Sequence, residues 1–208
     1  MITKDNHFLI ILSAPSGGGK STILNEVLKV AEDIDYSVSY TTRKPRGTEQ
    51  NGIHYHFVTE EEFQKRISEG DFLEYANVFG NWYGTSKSFI RNRLAVKHHV
   101  ILDIDVQGAS LISSTDIPYV KIFILPPSME VLHQRLVLRA TDSEEEIAKR
   151  LQIAKEEVAF IPQYDYLVIN DKLEIAVQDV LAIIRAEENR VSRYHHPARD
   201  FISTGENR

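Results

Sequence analysis

Residues 13–22 read SAPSGGGKST, a run of small residues that ends in Gly-Lys-Ser-Thr. A phosphate-binding loop has a glycine, then variable residues, and then Gly-Lys-Ser or Gly-Lys-Thr; Gly19, Lys20 and Ser21 match these last positions. Ala14 stands where the pattern has its first glycine. Alanine is tolerated there if its backbone φ is negative, so we predict that this added methyl group does not abolish the loop.

The sequence on either side of this loop predicts a strand before it and a helix after it. Residues 8–13 read FLIILS, a continuous apolar run of strand length. Apolar residues then recur at helical spacing; they are Ile23, Leu24, Val27, Leu28 and Ala31. A buried strand that leads through small residues into a helix is typical of a phosphate loop. The alternative is a Gly/Ser-rich turn that only joins a strand to a helix.

Strand, loop and helix together predict an anion-binding site. Inward-facing backbone N–H groups and the positive end of the helix dipole attract phosphate, while Lys20 can bridge the terminal phosphates and Ser21 can ligate Mg²⁺. We therefore expect Lys20 to be catalytic. The residues expected to bind ATP are Ala14, Pro15, Ser16, Gly17, Gly18, Gly19, Lys20, Ser21 and Thr22.

The composition is that of an ordinary soluble protein, with 42% hydrophobic and 26% charged residues. A chain of 208 residues is long enough for one packed domain and short for two, so we expect a single domain over residues 1–208. The net charge of −6 disfavours nucleic acid and anionic membranes as partners. There is no cysteine, which excludes disulfides, and the apolar run near the start is too short to span a membrane. We expect a cytoplasmic protein.

Apolar runs predict buried strands at residues 8–12, 100–104, 120–125 and 166–169. Helical patterns separate or follow these runs, which favours an α/β fold with a parallel β-sheet core flanked by helices, of the phosphate-loop NTPase type. The polar tail, residues 192–208, is expected to be flexible.

Signals for helix starts follow the third and fourth runs. A helix is expected after Ser128, another from a capping box formed by Ser143 and Glu146, and a last one from about Leu173. These helices would cover the faces of the parallel sheet.

Residues 36–95 break this alternation and predict an inserted lobe of mixed strands and helices. The stretch is rich in Tyr, Thr, Gly and Arg, and it contains FLEYANVFGNWYG at residues 72–84. That segment predicts a hairpin that turns at Gly80 and Asn81.

The lobe also contains a cluster of residues suited to bind phosphate. Arg43 and Arg46 lie on either side of a turn that contains a proline, and Tyr55 follows. Two guanidinium groups and a phenol can bind one phosphate dianion. A solvated basic turn is the alternative.

Two aspartates follow the apolar run at residues 100–104. Asp103 stands where a phosphate-loop enzyme places an acid near magnesium, so Ser21 and Asp103 are the predicted metal ligands. Asp105 lies on the same strand face as Asp103 if the strand continues. An aspartate that only satisfies a backbone group or caps a helix is the alternative. The histidines lack a third ligand at diagnostic spacing, and we interpret them as surface or core polar residues.

Several segments, taken in order, resemble the guanylate kinase family. They read SVSYTTRKPRGTE (37–49), NGIHYHF (51–57), FLEYANVFGNWYGTS (72–86), VILDIDVQG (100–108), LPPSMEVLHQRLVLR (125–139) and VIND (168–171). The resemblance covers roughly residues 8–191. It implies an enzyme that transfers the γ-phosphoryl group of ATP to GMP, and to dGMP, giving ADP and GDP, with Mg²⁺ as the cofactor.

By this resemblance the lobe at residues 36–95 binds GMP. The positions that match the family's phosphate-binding residues are Arg43, which also counts as catalytic, Arg46, Tyr55 and Tyr83. Those that match its guanine-binding residues are Ser39, Glu74, Thr85 and Asp105. Glu74 suits this role because guanine presents N1–H and N2–H₂ side by side to a carboxylate acceptor. Which of Asp103 and Asp105 serves the metal and which the guanine stays open, so Asp103 is assigned to both.

The resemblance further implies a helical lid at residues 127–150 that folds over ATP. Arg135, Arg139 and Arg150 lie in or beside it and are assigned as catalytic, and Asn170 and Asp171 are assigned to ATP. Arg135 and Arg139 are four residues apart and so share a helix face, where they repel unless an anion lies between them. The alternative is surface pairing with the acids at residues 144–146.

Other functions remain open on the sequence alone. A related phosphate-loop kinase could act on a sugar phosphate, although the guanine-reading set Ser39, Glu74 and Thr85 argues against it. A non-catalytic guanylate-kinase-like module could bind phosphorylated peptides, although the intact loop and the short chain argue against that. We expect ATP and GMP as partners, and a homo-oligomer is left open.

Overall fold

The computed structural model describes residues 3–4, 6–78, 80–112, 115–138 and 143–195. In chain order the strands are β1 (Thr3–Lys4), β2 (Leu9–Ser13), β3 (Ile34–Tyr36), β4 (Tyr40–Thr41), β5 (His56–Phe57), β6 (Phe72–Val78), β7 (Asn81–Ser86), β8 (His99–Asp103), β9 (Tyr119–Leu125), β10 (Tyr166–Ile169) and β11 (Tyr194–His195). The helices are α1 (Lys20–Val30), α2 (Glu60–Ser68), α3 (Lys87–Ala95), α4 (Val106–Leu111), α5 (Met129–Leu138), α6 (Glu144–Val158) and α7 (Leu173–Glu188).

The main sheet has five parallel strands in the order β10-β9-β2-β8-β3. Since β2 lies between β9 and β8, the loop that follows Ser13 emerges at the middle of the sheet, beside the end of β8. The predicted α/β fold and all the predicted strands of the parallel sheet are confirmed. The sequence pattern misses β3, because three residues that include Asp35 are too few to show a period.

The main sheet separates two hydrophobic clusters. Ile10 and Leu12 face α1 and α7, while Leu9 and Ile11 face the other side, where Ile90 of α3 packs. Alternate residues of a strand point to opposite faces, so β2 is held from both sides. Burial of each such side chain stabilises the fold by roughly 1.5–3 kcal/mol, and the phosphate loop therefore starts from a rigid strand.

The lobe contains a second, mixed sheet in the order β5-β4-β7-β6. Its core is aromatic: Phe63 of α2 stacks on Phe72 of β6 with ring centroids 4.4 Å apart. A Cβ atom on Gly84 would approach Phe72 to 2.9 Å and Phe63 to 3.0 Å, so only glycine lets the rings lie this close to β7. Thr59 caps α2, because its hydroxyl accepts the N–H of Glu62 at 3.2 Å.

The predicted hairpin is formed by β6 and β7, which pair antiparallel. Gly80 has φ of +81°, a conformation that favours glycine. Asn81 is the first residue of β7, whereas the sequence predicts it in the turn. Its pairing with Val78 extends the sheet by one residue beyond the predicted boundary.

Helices α5 and α6 form the region predicted as a lid and pack through Leu132, Leu136, Ile147 and Ala154. The predicted capping box is present: the Ser143 hydroxyl accepts the N–H of Glu146 at 3.3 Å, and Glu146 Oε2 accepts the N–H of Ser143 at 2.8 Å. Such a box satisfies N–H groups that would otherwise lack a partner at the start of α6.

After α7 the described chain forms a 3₁₀ turn at Val191–Arg193, and then β11 pairs antiparallel with β1. Residues 196–208, most of the predicted tail, lie outside the described part. Within that part, no helix has the length and the apolar character that crossing a membrane requires.

Candidate active site

The loop between β2 and α1 has the backbone of an anion-binding loop. Gly17 and Gly19 have φ of +93° and +92°, which glycine adopts without strain. Gly19 caps α1 with no side-chain hydrogen bond, and the first turn of α1 contains no acidic residue. Neither the N-cap nor the first turn of α1 therefore supplies a side-chain acceptor to its first N–H groups, which can bind an anion together with the helix dipole.

Ala14, the residue that departs from the loop pattern, is buried and does not have a positive φ. Its methyl group packs against the loop, where it would lie 3.0 Å from a Cβ atom built on Gly18. The methyl group therefore lies inside the loop at a backbone conformation that alanine adopts without strain.

Lys20, Ser21 and Asp103 lie together where the loop meets the end of β8. The Lys20 ammonium donates to the Ile104 carbonyl at 3.0 Å and forms an ion pair with Asp103. The Ser21 hydroxyl donates to Asp103 Oδ2 at 3.3 Å. A hydroxyl and a carboxylate this close suit Mg²⁺, which takes one or two protein oxygen ligands and completes its shell with phosphate and water.

A cleft of about 390 Å³, here called the loop cavity, opens on one side of the phosphate loop. Its lining residues are Gly17, Gly19, Thr22, Arg135, Leu138, Asn170, Asp171 and Leu173. Arg135 donates to the Asn170 carbonyl at 2.8 Å, and the Asn170 amide donates to the Gly18 carbonyl at 2.8 Å. These bonds tie α5 and the segment after β10 to the loop, and they bring the predicted ATP residues Asn170 and Asp171 beside it.

A second cleft of about 360 Å³, here called the lobe cavity, lies between the lobe and the end of β8. Its lining includes predicted residues from both sites, namely Lys20, Ser39, Tyr55, Glu74, Tyr83, Asp103 and Asp105. It is also lined by Ala76, Val78, Gly84, Ile104, Gln107 and Gly108, which the sequence does not single out. Because Lys20 and Asp103 belong to the loop site and line this cavity, a ligand here lies next to an anion held by the loop.

Glu74 is the partly buried acid of the lobe cavity. It pairs with Thr85 across the hairpin, and the Thr85 hydroxyl donates to Glu74 Oε1 at 2.6 Å. Burial, with a smaller contribution from Asp105, raises the pKa of Glu74 to about 7, although the Thr85 hydroxyl acts in the opposite direction. A carboxylate whose surroundings disfavour its charge gains from ligand N–H donors, because they replace lost solvation.

Asp105 is placed differently from the prediction, because β8 ends at Asp103. Asp105 is instead the N-cap of α4, where its Oδ1 accepts the N–H of Gly108 at 2.8 Å. It still lines the lobe cavity. A Cβ atom on Gly108 would lie 3.5 Å from both Asp105 Oδ1 and Glu74 Oε2, so both carboxylates border the same space.

Arg43, Tyr55 and Tyr83, three of the residues predicted to bind phosphate, lie close together in the lobe. The Arg43 carbon Cζ lies 5.3 Å from the centre of the Tyr55 ring, and the Tyr55 and Tyr83 ring centroids are 5.9 Å apart. The hydroxyl of Tyr83 and the carboxylate of Glu49 raise the pKa of Arg43, with Glu49 the larger cause. Arg46 is exposed, and its side chain has no ion pair within the described ranges.

The three arginines of the predicted lid differ in where the structure places them. Arg135 lines the loop cavity, and Arg150 lies in α6 and lines neither cavity. Arg139 lies outside the described residues, so the predicted pairing of Arg135 and Arg139 on one helix face is not described.

Among the residues that the structure describes, one group outside the site brings together side chains of the kind that bind metals: Asp33, His99 and Glu188. His99 Nδ1 accepts the Phe8 N–H at 3.3 Å, so the ring proton belongs on Nε2, which lies 3.0 Å from Glu188 Oε1. A protonated Nε2 has no lone pair for a metal. We therefore interpret His99 as a buried structural residue.

Comparison with known proteins identifies the family of this chain. The family model for guanylate kinase matches residues 6–187. The chain belongs to the guanylate kinase family. The resemblance inferred from the sequence motifs is therefore confirmed over almost the same range of residues.

Curated guanylate kinases match nearly the whole chain. That of Methylobacillus flagellatus is 50% identical over 182 residues, which are 88% of this chain and 90% of that protein. That of Clostridium perfringens is 48% identical over 193 residues, which are 92% of this chain and 89% of that protein. The crystal structure of guanylate kinase from Anaplasma phagocytophilum superposes with a TM-score of 0.75 at 33% identity and covers 97% of this chain and 96% of that one.

For this member of the guanylate kinase family, the sequence does not single out Glu49. This residue forms an ion pair with Arg43 and accepts the backbone N–H of Arg46 at 2.7 Å. A carboxylate three residues after Arg46, beyond a Pro-Arg-Gly turn, is a signal that could have suggested the pairing.

Proposed function

We propose that the protein transfers the γ-phosphoryl group of ATP to GMP, giving ADP and GDP, and that it also accepts dGMP. The observation that carries the proposal is that Lys20 of the phosphate loop and Glu74 of the lobe line the same cavity. A phosphate held by the loop and a guanine nucleotide held by the lobe would therefore lie next to each other. Family membership supports the same activity.

The phosphate loop would hold the phosphates of ATP. Its backbone N–H groups and Lys20 bind the β- and γ-phosphates, while Arg135 of the loop cavity adds positive charge. Asn170 and Asp171 line the same cavity and would contact the rest of the nucleotide. Arg150, and Arg139 outside the described residues, are proposed to approach the transferred group when the lid closes.

The lobe would recognise GMP at both ends. Glu74 accepts the N1–H and N2–H₂ groups of guanine, with Ser39, Thr85 and Asp105 as further polar contacts. Arg43, Arg46, Tyr55 and Tyr83 would bind the phosphate. Adenine has an acceptor at the position of guanine N1–H, so AMP would leave the Glu74 carboxylate without its donors, at a cost of roughly 1–3 kcal/mol or more.

Ser21 and Asp103 would hold Mg²⁺, since their oxygens lie together beside the loop. The ion supplies charge neutralisation at the phosphates. The ion pair between Lys20 and Asp103 would then separate, which frees the ammonium to contact the γ-phosphate. Asp105, the N-cap of α4, would then contact the guanine base and not the metal ion.

The chemical step requires positioning and charge neutralisation. A phosphate oxygen of GMP attacks the γ-phosphorus, and the bond to the oxygen that bridges the β- and γ-phosphates breaks, so that ADP leaves. The phosphate of GMP loses its second proton with a pKa of about 6, so no general base is needed at neutral pH. Lys20, Arg43 and Arg135 would stabilise the charge on the transferred group. The lid would exclude water and prevent hydrolysis of ATP. We expect the reaction to take place in the cytoplasm.

A coupled assay of ADP release tests the proposal, with GMP, dGMP, AMP and UMP as acceptors. We expect turnover with GMP and dGMP, and rates with AMP and UMP close to the rate without an acceptor. Equal rates with AMP and GMP, or no acceptor-dependent release of ADP at all, would show that the proposal is wrong. Omission of Mg²⁺ should abolish the GMP-dependent rate.

A further inference from the structure

Arg43 is held on one side by the protein itself. Its Nη1 and Nη2 donate to Glu49 Oε2 and Oε1, each at 2.9 Å, in a bidentate pair. Nη1 also donates to the Lys44 carbonyl at 2.9 Å. These bonds use both protons of Nη1 and one proton of Nη2, so the Nε–H and the second N–H of Nη2 bind neither Glu49 nor Lys44. Those two donors lie on the same edge of the guanidinium. The hydroxyl of Tyr83, another predicted phosphate ligand, also hydrogen-bonds the Arg43 side chain.

Glu49 is itself fixed in place. Its Oε2 also accepts the backbone N–H of Arg46 at 2.7 Å, and its own N–H donates to the Arg46 carbonyl at 3.0 Å. The turn between these residues includes Gly47, whose φ is +52°. Hydrogen bonds from Arg43 and Arg46 lower the pKa of Glu49 to about 2, so the carboxylate is ionised at neutral pH.

Arg46 lies in the same turn, but no described residue fixes its side chain by an ion pair as Glu49 fixes that of Arg43. The Arg43 side chain is 10% exposed and paired, whereas Arg46 is exposed and has no side-chain ion pair in the part of the chain that the structure describes. A free arginine loses side-chain entropy when it binds a phosphate, and one already held in place loses less.

We propose that Glu49 is a positioning residue that holds Arg43 so that its Nε and Nη2 edge faces the 5′-phosphate of the acceptor nucleotide. The inference rests on the proposed function, since it assigns the phosphate of GMP to Arg43. The planar fork of arginine binds two phosphate oxygens only when its edge is correctly aimed. Glu49 contacts neither substrate, and its effect passes through Arg43.

A competing role for Glu49 predicts the opposite result. If the carboxylate only occupied the phosphate position, its removal would free Arg43, add one positive charge to the subsite and tighten GMP binding. If it positions Arg43, its removal lets the guanidinium move, and GMP binding weakens despite the added positive charge. The sign of the change in KM therefore separates the two roles.

Glu49→Gln tests the proposal, because the side chain keeps its size and loses its charge. We expect KM for GMP to rise about tenfold or more, with KM for ATP changing much less. The value of kcat should fall as well, because Arg43 is also proposed to stabilise the charge on the transferred group. Inhibition by guanosine, which has the base without the phosphate, should be unchanged. KM for GMP of Glu49→Asp should lie between the values of Glu49→Gln and the wild type, because aspartate keeps the negative charge but its shorter side chain reaches Arg43 less well.

Asp116→Asn is the control, because both carboxylate oxygens of Asp116 accept from Nη2 of an arginine, Arg91, and neither residue lines the loop cavity or the lobe cavity. It should leave all kinetic constants unchanged. An unchanged or lower KM for GMP in Glu49→Gln overturns the proposal. The proposal is also overturned if inhibition by guanosine weakens by the same factor by which KM for GMP rises, because that result would indicate general damage to the lobe.

A double-mutant cycle with Arg43→Met makes the test specific. Glu49→Gln should have almost no further effect on KM for GMP once Arg43 is removed, because its role passes through that residue. Additive effects would overturn the proposal. If instead the wild type does not phosphorylate GMP at all, the proposed function itself fails, and the two failures are thus distinguishable.

Discussion

The phosphate loop and the lobe cavity are built in different ways. The loop is a contiguous segment, residues 13–22, whose shape is set by positive-φ glycines and by its attachment to a buried strand. The lobe cavity is lined by residues that are scattered between Lys20 and Gly108 on separate strands, helices and turns. A site made of backbone depends on a few local residues, whereas a site made of side chains depends on the packing of the lobe. We therefore expect abrupt losses from substitutions in the loop and graded losses from substitutions in the lobe.

Lys20→Ala should have the largest effect, because it removes the cation next to the transferred phosphate. We expect kcat to fall roughly 10³-fold or more, while the affinity for GMP, measured by equilibrium titration without ATP, changes little. Lys29→Ala is the control, because Lys29 lies on the same helix and pairs with Glu26 at the surface. A turnover of Lys20→Ala near that of the wild type would contradict the assigned role of the loop.

Gly19→Ala should have the next largest effect. A Cβ atom there would overlap the Asn170 amide, and a φ of +92° is strained for alanine. Strain of this kind costs about 1–3 kcal/mol, and displacement of Asn170 opens the loop cavity. We expect loss of ATP binding in a titration and a lower melting temperature. Gly47→Ala is the matched control: it has a positive φ but open space, and it should cost only about 1 kcal/mol with ATP binding intact.

Glu74→Gln should weaken GMP binding in a way that depends on pH. At pH 8 the wild-type carboxylate is ionised, and we expect the variant to raise KM for GMP roughly 10- to 100-fold. The pKa of Glu74 is raised to about 7, so as the pH falls through 7 the carboxyl becomes protonated and the wild type loses affinity. The variant should lack this dependence and show only the titration of the GMP phosphate. Parallel pH profiles of KM for the two proteins would contradict a guanine contact.

Thr85→Val should have the smallest effect. Its hydroxyl donates to Glu74 Oε1 at 2.6 Å and lowers the pKa of that residue, so its loss should raise the pKa further. We expect a change of a few-fold in KM for GMP at pH 8, together with a shift of the pH profile toward higher pH. Profiles of the variant and the wild type with the same midpoint would show that Glu74 does not control the profile.

The parts of the site that the sequence predicts well are those with local signals. The phosphate loop, the strands of the parallel sheet and the Ser143 capping box each depend on residues a few positions apart, so a pattern can show them. The proposed guanine contacts of the lobe follow only from resemblance to a family, because residues as distant as Ser39 and Asp105 have no sequence pattern in common. The position of Asp105 shows where sequence patterns stop being informative. The strand β8 ends at Asp103 and Asp105 caps α4, but an aspartate that caps a helix and one that continues a strand look alike in sequence.

The sequence by itself determined the phosphate loop, the main strands and helices, and the family. Each of these depends on the spacing of residues over short ranges or on the order of motifs along the chain. Only the tertiary structure decided that Lys20 and Glu74 line one cavity, that Asp105 caps α4, and that Glu49 pairs with Arg43. Ion pairs, cavities and raised pKa values depend on distance and burial, which arise when segments far apart in the chain pack together.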